Sequence, residues 1–257
     1  MDLMLNGKVA IVSGGSKGIG LHIARDLAAE GCRVMVGARG EKDLNQAVQD
    51  INAQGKGKAA GFAGDVTKPG VPEALLKKTL EAFGGVDILV NNVGGSDPKP
   101  LLETTDEDWR HVFGLNLYHA VALSRLAIPE MKKRGGGAIL NIASIAGRES
   151  GSAMTYNSSK AALISFSKAL AQQVAKDNIR VNSLAPGSVL FPGGVWDRRI
   201  AAAPDGLKGW IASAMPFGRM GRPEEISAVA VFMVSPRASL VHGACWNVDG
   251  CQSRSNI

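Results

Sequence analysis

Tyrosine occurs twice in these 257 residues and cysteine three times, and no stretch approaches the roughly 20 consecutive apolar residues of a membrane span. Cys32, Cys245 and Cys251 have no metal-ligand spacing and are odd in number. That excludes a zinc module or a disulfide scaffold, leaves no metal site to expect, and fits a reducing cytoplasm. Residues 1–7 lack the basic segment followed by an apolar one that marks a secretory leader, so a soluble cytoplasmic protein is expected. No linker, repeat or low-complexity run divides the chain, and 45% hydrophobic residues can fill a full core, so residues 1–257 are expected to form one domain. The net charge is +6, but the basic residues are scattered. Only Lys132-Lys133-Arg134 cluster, at an expected helix C-terminus where cations complement the dipole, and no nucleic-acid partner is expected.

Glycine is abundant, and its placement carries information. Residues 8–13 form a short β-branched run, Gly14-Gly15-Ser16-Lys17-Gly18-Ile19-Gly20 follows, and residues 21–30 have the spacing of an Ala-rich amphipathic helix. Glycines let the backbone approach a pyrophosphate, and the N–H groups at the helix start, with the dipole behind them, bind its charge. Further strand-like runs at 33–38, 58–63, 86–91, 138–143, 180–184 and 245–248 alternate with helical segments. Such alternation predicts an α/β fold, a parallel sheet covered on both faces with ligands at the carboxyl ends of its strands.

Tyr156 and Lys160 stand four residues apart in a segment, 153–176, whose apolar spacing predicts a helix. On a helix that spacing puts phenol and ammonium on one face. A free phenol titrates near 10, and a neighbouring cation favours phenolate, which turns the group into an acid or base usable near neutral pH. An ordinary solvated helix face accommodates the same pair. The other tyrosine, Tyr118, has no lysine four residues on.

Taken in order, Gly14, Gly18 and Gly20, the stretch Asn91-Asn92-Val93-Gly94, then Asn116, Ser144, Tyr156 and Lys160, then Pro186-Gly187 and Val248-Asp249-Gly250 make the chain resemble the short-chain dehydrogenase/reductases nearly end to end. Val93 replaces that family's usual Ala. The resemblance implies a Rossmann-like doubly wound sheet and a catalytic tetrad. In it Ser144 holds the substrate oxygen and Tyr156 exchanges its proton. Lys160 binds the nicotinamide ribose, and Asn116 holds a water linking Lys160 to solvent. It implies that Ser16 and Ile19 complete the cofactor turn, that Asp65 and Val66 edge the adenine, that Asn92 and Gly94 border the adenosine ribose, and that Pro186, Gly187 and Val189 line the nicotinamide end. It also implies a homo-oligomer, a tetramer. Asp65 could equally be a turn residue, and Asn116 could cap or kink its helix.

After the second strand no carboxylate is available for a ribose 2′-hydroxyl; Arg39 stands there, with Lys17 in the glycine turn. A guanidinium suits a phosphate, so NADP(H) is the expected cofactor, although two solvated surface cations would read the same way. The family's Thr four residues after Pro-Gly is missing from Pro186-Gly187-Ser188-Val189-Leu190-Phe191, which leaves Ser188 or backbone near Val189 to hold the carboxamide. Residues 191–217 resemble a substrate lid, with Met154, Trp196 and Trp210 as candidate substrate contacts and Arg198, Arg199 and Lys208 as candidate anion contacts. The expected activity is reduction of a ketone or oxidation of a secondary alcohol, a carbonyl reductase. The alternatives are a 3-oxoacyl-carrier-protein reductase and a dinucleotide-binding regulator without turnover.

Overall fold

Each apolar run finds parallel neighbours in a single seven-stranded sheet. The computed structural model describes residues 1–256, and of residues 204 and 205 the backbone alone. The strands are β1 (Val9–Ser13), β2 (Arg33–Ala38), β3 (Lys58–Ala63), β4 (Ile88–Asn91), β5 (Gly137–Ile142), β6 (Ile179–Pro186) and β7 (Cys245–Val248), in the spatial order 3-2-1-4-5-6-7. The helices are α1 (Gly18–Ala29), α2 (Glu41–Ala53), α3 (Val71–Phe83), α4 (Asp106–Phe113), α5 (His119–Lys133), α6 (Met154–Val174), α7 (Val195–Ala202), α8 (Pro204–Ala214) and α9 (Pro223–Val234). None of the described helices is long and apolar enough to cross a membrane.

The strands read as continuous apolar runs because both faces of the sheet are covered. Successive side chains point to opposite faces, so Ile11, Met35, Leu89, Ile139 and Val181 pack with Leu75 of α3, Leu123 and Met131 of α5, and Ala171 of α6. Their neighbours Val12, Val34, Val36, Val90 and Leu140 pack with Ile23 and Leu27 of α1 and with Ile226 and Val231 of α9. Strand β1 pairs with β2 on one side and β4 on the other, Ser13 lying level with Gly37 and Asn91. The chain therefore winds outward in both directions from β1, and a crevice opens beyond the carboxyl ends of β1 and β4.

The opposite end of the sheet is closed by charge pairing. Asp87, 5% exposed, accepts from the Val9 N–H (2.8 Å) and from Nε and Nη2 of Arg134 (2.8 and 2.9 Å), with Lys8 at 3.8 Å. Arg134 was read as a dipole partner for α5; it also locks the end of that helix to the start of β4. Asp87→Ala leaves a buried N–H and a guanidinium without their acceptor, so it should cost about 2–4 kcal/mol, measured by urea unfolding.

Candidate active site

The first crossover starts in a tight glycine turn whose shape would suit a phosphate. Gly14 (φ 67°) and Gly18 (φ 53°) adopt left-handed backbone conformations that glycine alone takes without cost. A side chain on Gly20 would run into the Gly14 carbonyl. Lys17, at the N-cap of α1, makes no side-chain hydrogen bond to the helix start, so no capping side chain occupies the first N–H groups and they can take an anion. Asn92 ties the turn to β4. Its N–H donates to Ser13 Oγ (3.1 Å) and its Nδ2 to the Gly14 carbonyl (3.0 Å). The Asn92 side chain is thus committed to shaping the turn, which leaves backbone at Val93 and Gly94 to face a ribose.

At the end of β2, Arg39 is exposed. Lys17 Nζ is held 2.7 Å from Asp43 of α2, so a phosphate reaching Lys17 must compete with that carboxylate. Asp65 Oδ1 accepts from the Thr67 N–H (3.0 Å) and hydroxyl (2.7 Å), the turn arrangement that its composition also allowed. Burial pushes its carboxyl up, but the two Thr67 bonds and Arg39 outweigh this and hold it below the ordinary range. Val66 is buried beside it, packed in the core.

The reactive end assembles on β5, α6 and the turn before α5. Tyr156 and Lys160 share the buried side of α6 as their spacing predicts, but their electrostatics differ from the expectation. Lys160 is 3% exposed, and its Nζ donates to the Ile142 carbonyl (2.7 Å) at the end of β5. It lies 5.8 Å from the centre of the Tyr156 ring. Burial pulls its ammonium down to about 7. The Tyr156 phenol is pushed above its ordinary value by the same burial, against which the hydrogen bond from Ser144 works. Desolvation by burial outweighs the attraction the i,i+4 pair was expected to provide.

Ser144 begins the loop after β5, its Oγ accepting from the Ala146 N–H (3.1 Å). Asn116 lies in a π-helical turn, Gly114–Tyr118, between α4 and α5. Such bulges re-aim a side chain. Its Oδ1 accepts from the Gly95 N–H (3.1 Å), and its Nδ2 donates to the carbonyls of Gly95 (2.7 Å) and Val112 (2.9 Å). The amide thus clamps the loop after β4 instead of presenting free donors to a water. Gly94 fits between: a Cβ there would lie 2.9 Å from Asn116 Oδ1 and 3.1 Å from Lys160 Nζ. His119, buried three residues after Asn116, places Nε2 3.0 Å from the Val93 carbonyl. Burial, reinforced by Lys160, pushes its imidazole down to about 4, so it is a neutral prop for the same loop.

Pro186 ends β6, and the loop after it carries Gly187 and Val189. The Gly187 N–H donates to the Val248 carbonyl (3.1 Å), Leu190 donates to Gly221 (2.9 Å), and Gly221 donates back to Ser188 (2.9 Å). The Ser188 N–H donates to Gln252 Oε1 (2.7 Å). Phe191, where the family's Thr would stand, lies against the glycine turn; a Cβ on Gly18 would fall 2.6 Å from its ring. Trp196 and Trp210 stack on each other (4.5 Å between ring centres), with the Arg199 guanidinium 4.8 Å over Trp196. Arg198 donates to the Gly193 carbonyl. Among the described residues no ring contact or hydrogen bond ties either indole to Ser144 or Tyr156; α7 and α8 pack on each other. Met154, in the first turn of α6, is exposed.

The pattern of residues missed His119, Gln252 and Glu149. A lone histidine on a helix gives no local signal. Gln252 meets Ser188 across 64 positions of sequence, a separation that no periodicity reports. No group of three or more His, Cys, Asp or Glu poised for a metal ion occurs among the described residues. The donors present, glycine-turn N–H groups without a side-chain cap, the glycine gap over Lys160 and the half-buried hydroxyls of Tyr156 and Ser144, fit a nicotinamide dinucleotide.

Three comparisons place this geometry among known proteins. Residues 14–251 match the family model described as enoyl-(acyl carrier protein) reductase. A 3-oxoacyl-[acyl-carrier-protein] reductase of Chlamydia muridarum is 36% identical over 252 residues, 97% of this chain and 99% of that protein. L-sorbose reductase from Gluconobacter frateurii, solved with NADPH and L-sorbose, superposes with a TM-score of 0.94 at 36% identity, covering 99% of this chain and 100% of that one. A 7α-hydroxysteroid dehydrogenase solved with NADH and 7-oxo glycochenodeoxycholic acid gives 0.91 at 35% identity over 99% and 97% of the two chains.

The low Lys160 value has a measurable sign. Its ammonium titrates near 7 in the folded protein against an ordinary 10.5. As pH falls from 10.5 towards 7 the unfolded chain takes up a proton that the folded chain does not, so stability drops across that window and levels off below it. Lys160→Met should remove this slope and raise the stability of the cofactor-free protein at pH 7 by about 1–3 kcal/mol. Urea unfolding between pH 6 and pH 10.5 measures both; an unchanged slope would show that Lys160 is solvated.

Proposed function

The chain belongs to the short-chain dehydrogenase/reductase family of oxidoreductases, and on that premise we propose that it is an NADP(H)-dependent enzyme interconverting a ketone and a secondary alcohol. The observation that carries this is the half-buried Tyr156 phenol, beside Ser144 and followed on the same helix face by Lys160, which is 3% exposed. A protein that only binds a dinucleotide gains nothing from keeping an acid and an amine out of water.

Ser144 binds the substrate oxygen, and Tyr156 passes its proton to that oxygen or takes it back. A phenol raised by burial remains protonated at neutral pH, which suits the reductive direction, where the group acts as an acid. Lys160 holds the nicotinamide ribose, and Asn116 fixes the loop at Gly94 and Gly95 over that ammonium. When bound, the nicotinamide supplies or accepts the hydride. The glycine turn (Gly14, Ser16, Lys17, Gly18, Ile19, Gly20) takes the pyrophosphate, Asp65 and Val66 border the adenine, and Pro186, Gly187 and Val189 flank the nicotinamide. Residues 191–217 cover the substrate, and the protein acts as a cytoplasmic homotetramer folded as one domain.

The solved neighbours hold NADPH in one case and NADH in the other, so the choice here rests on this chain's own charges. Arg39 and Lys17 favour a 2′-phosphate, and residues 34–40, at the end of β2, hold no carboxylate to favour a ribose hydroxyl. Titrated by fluorescence, the protein should bind NADPH at least tenfold more tightly than NADH, and Arg39→Asp should erase that margin by turning a charge-assisted contact into repulsion. Equal affinities in the unmutated protein would remove the phosphate clamp from this account.

Tyr156→Phe tests the chemistry. It should leave NADPH binding intact and lower turnover by about 10²–10⁴, the usual worth of a positioned general acid. The substrates to screen are ketones, sugars, hydroxysteroids and 3-oxoacyl thioesters, the last to test the carrier-protein reductase alternative. Wild-type turnover by the Phe variant on a ketone the protein reduces would remove Tyr156 from the chemistry, and no turnover of any of these substrates by the unmutated protein would favour a regulator.

A further inference from the structure

The C-terminal tail is folded back with unusual specificity. After β7, Asp249 turns the chain, its Oδ1 accepting from the Cys251 N–H (3.1 Å) and its Oδ2 from the Ser253 N–H (2.8 Å). Cys251 takes a left-handed conformation (φ 65°), which a non-glycine residue adopts only when its surroundings require it. The turn delivers Gln252 to Ser188. Both ends of one amide engage one residue: Oε1 accepts from the Ser188 N–H (2.7 Å), and Nε2 donates to Ser188 Oγ (3.0 Å). Gly187 makes room for this, since a Cβ there would lie 2.6 Å from Gln252 Oε1. The next two residues then reach Glu149, whose Oε2 accepts from Ser253 Oγ (3.1 Å) and the Arg254 N–H (2.8 Å). Glu149 lies five residues beyond Ser144, and its carbonyl accepts from Asn157 Nδ2 (2.9 Å), beside Tyr156.

We propose that Gln252 is a positioning residue for the nicotinamide end of the site, and that the tail from Asp249 to Arg254 couples the loop carrying Gly187 and Val189 to the loop carrying Ser144. This rests on the cofactor reading above. The family's Thr after Pro-Gly is replaced by Phe191, so the loop has no hydroxyl of its own at that position to fix a carboxamide. What fixes the loop is external: the Val248 carbonyl, Gly221, and the Gln252 amide. Of these, Gln252 is the only side chain, and it holds the Gly187–Ser188 peptide, one residue before Val189. The tail's second anchor, Glu149, makes a displacement of either loop felt by the other.

The test compares NADPH with adenosine 2′,5′-bisphosphate, which lacks the nicotinamide half. Gln252→Leu removes both bonds to Ser188 and should weaken NADPH binding about tenfold while leaving the bisphosphate unchanged. Gln252→Glu keeps an acceptor for the Ser188 N–H and should recover most of the NADPH affinity. Equal NADPH affinity in Gln252→Leu, or equal weakening of both ligands, would overturn the positioning role. Should Gln252→Leu fail to fold, Ser188→Ala removes the Oγ bond alone and should give a smaller loss, of about two- to fivefold, again confined to NADPH. An unmutated protein that binds the bisphosphate but not NADPH would sink the cofactor reading itself, which the variants do not address.

Discussion

Keeping Lys160 dry is the constraint around which the reactive end is arranged. An ammonium removed from water loses several kcal/mol of solvation unless donors and acceptors replace it. Here one carbonyl, Ile142 O, does so, and the group answers by titrating near 7. Everything adjacent is consistent with space reserved for something else to complete the shell. Gly94 has no side chain where one would touch Nζ. Asn116 spends its amide holding the loop that carries that glycine. His119 is kept neutral by burial and by Lys160, so no second cation competes. A ribose offering hydroxyl acceptors would repay part of the solvation, which links affinity for the cofactor to the charge state of the lysine.

The fold supplies this arrangement through its winding. Since β1 lies between β2 and β4, the loops after β1 and β4 open onto one crevice, and Ser13 and Asn92 join them by hydrogen bonds. Glycine turn and reactive pair thus sit at one edge of one sheet, fixed by strand register instead of by flexible loops. That is why most of the fold was legible in the sequence. The central strands are covered on both faces and mostly apolar, so their runs appear without alternation; β2 and the partly exposed edge strands β3 and β7 were bounded to the residue. The ends of β1, β4, β5 and β6 shifted by one or two residues, where register with a neighbour and not local composition decides.

The site was legible where a local pattern encodes it and opaque where tertiary packing does. Glycine spacing fixed the turn, and the i,i+4 spacing fixed the shared face of Tyr156 and Lys160. The balance between attraction and desolvation could not be read, because it depends on how completely β5, α6 and the π-helical turn exclude water. Trp196 and Trp210 were read as substrate contacts from their apolar character alone. The structure stacks them on each other, as two large rings on short adjacent helices do when no other apolar surface is offered to them. Lys17 was read as free to meet a phosphate, and its pairing with Asp43 became visible only once α2 was placed.

The two ends of the sheet are built on opposite principles. At the amino end charges are answered: Asp87 by Arg134, Lys8 and the Val9 N–H, and Arg180 by the carbonyls of Met233, Ser235 and Val241. Those bonds hold strand starts and helix ends in place at little risk, since nothing there must open. At the carboxyl end a helix starts without a side-chain cap, an ammonium is buried beside one carbonyl, and a phenol is kept from ionising. The buried ammonium lowers the stability of the folded protein at neutral pH. Stability gathered at one edge is what lets the other edge stay unsatisfied.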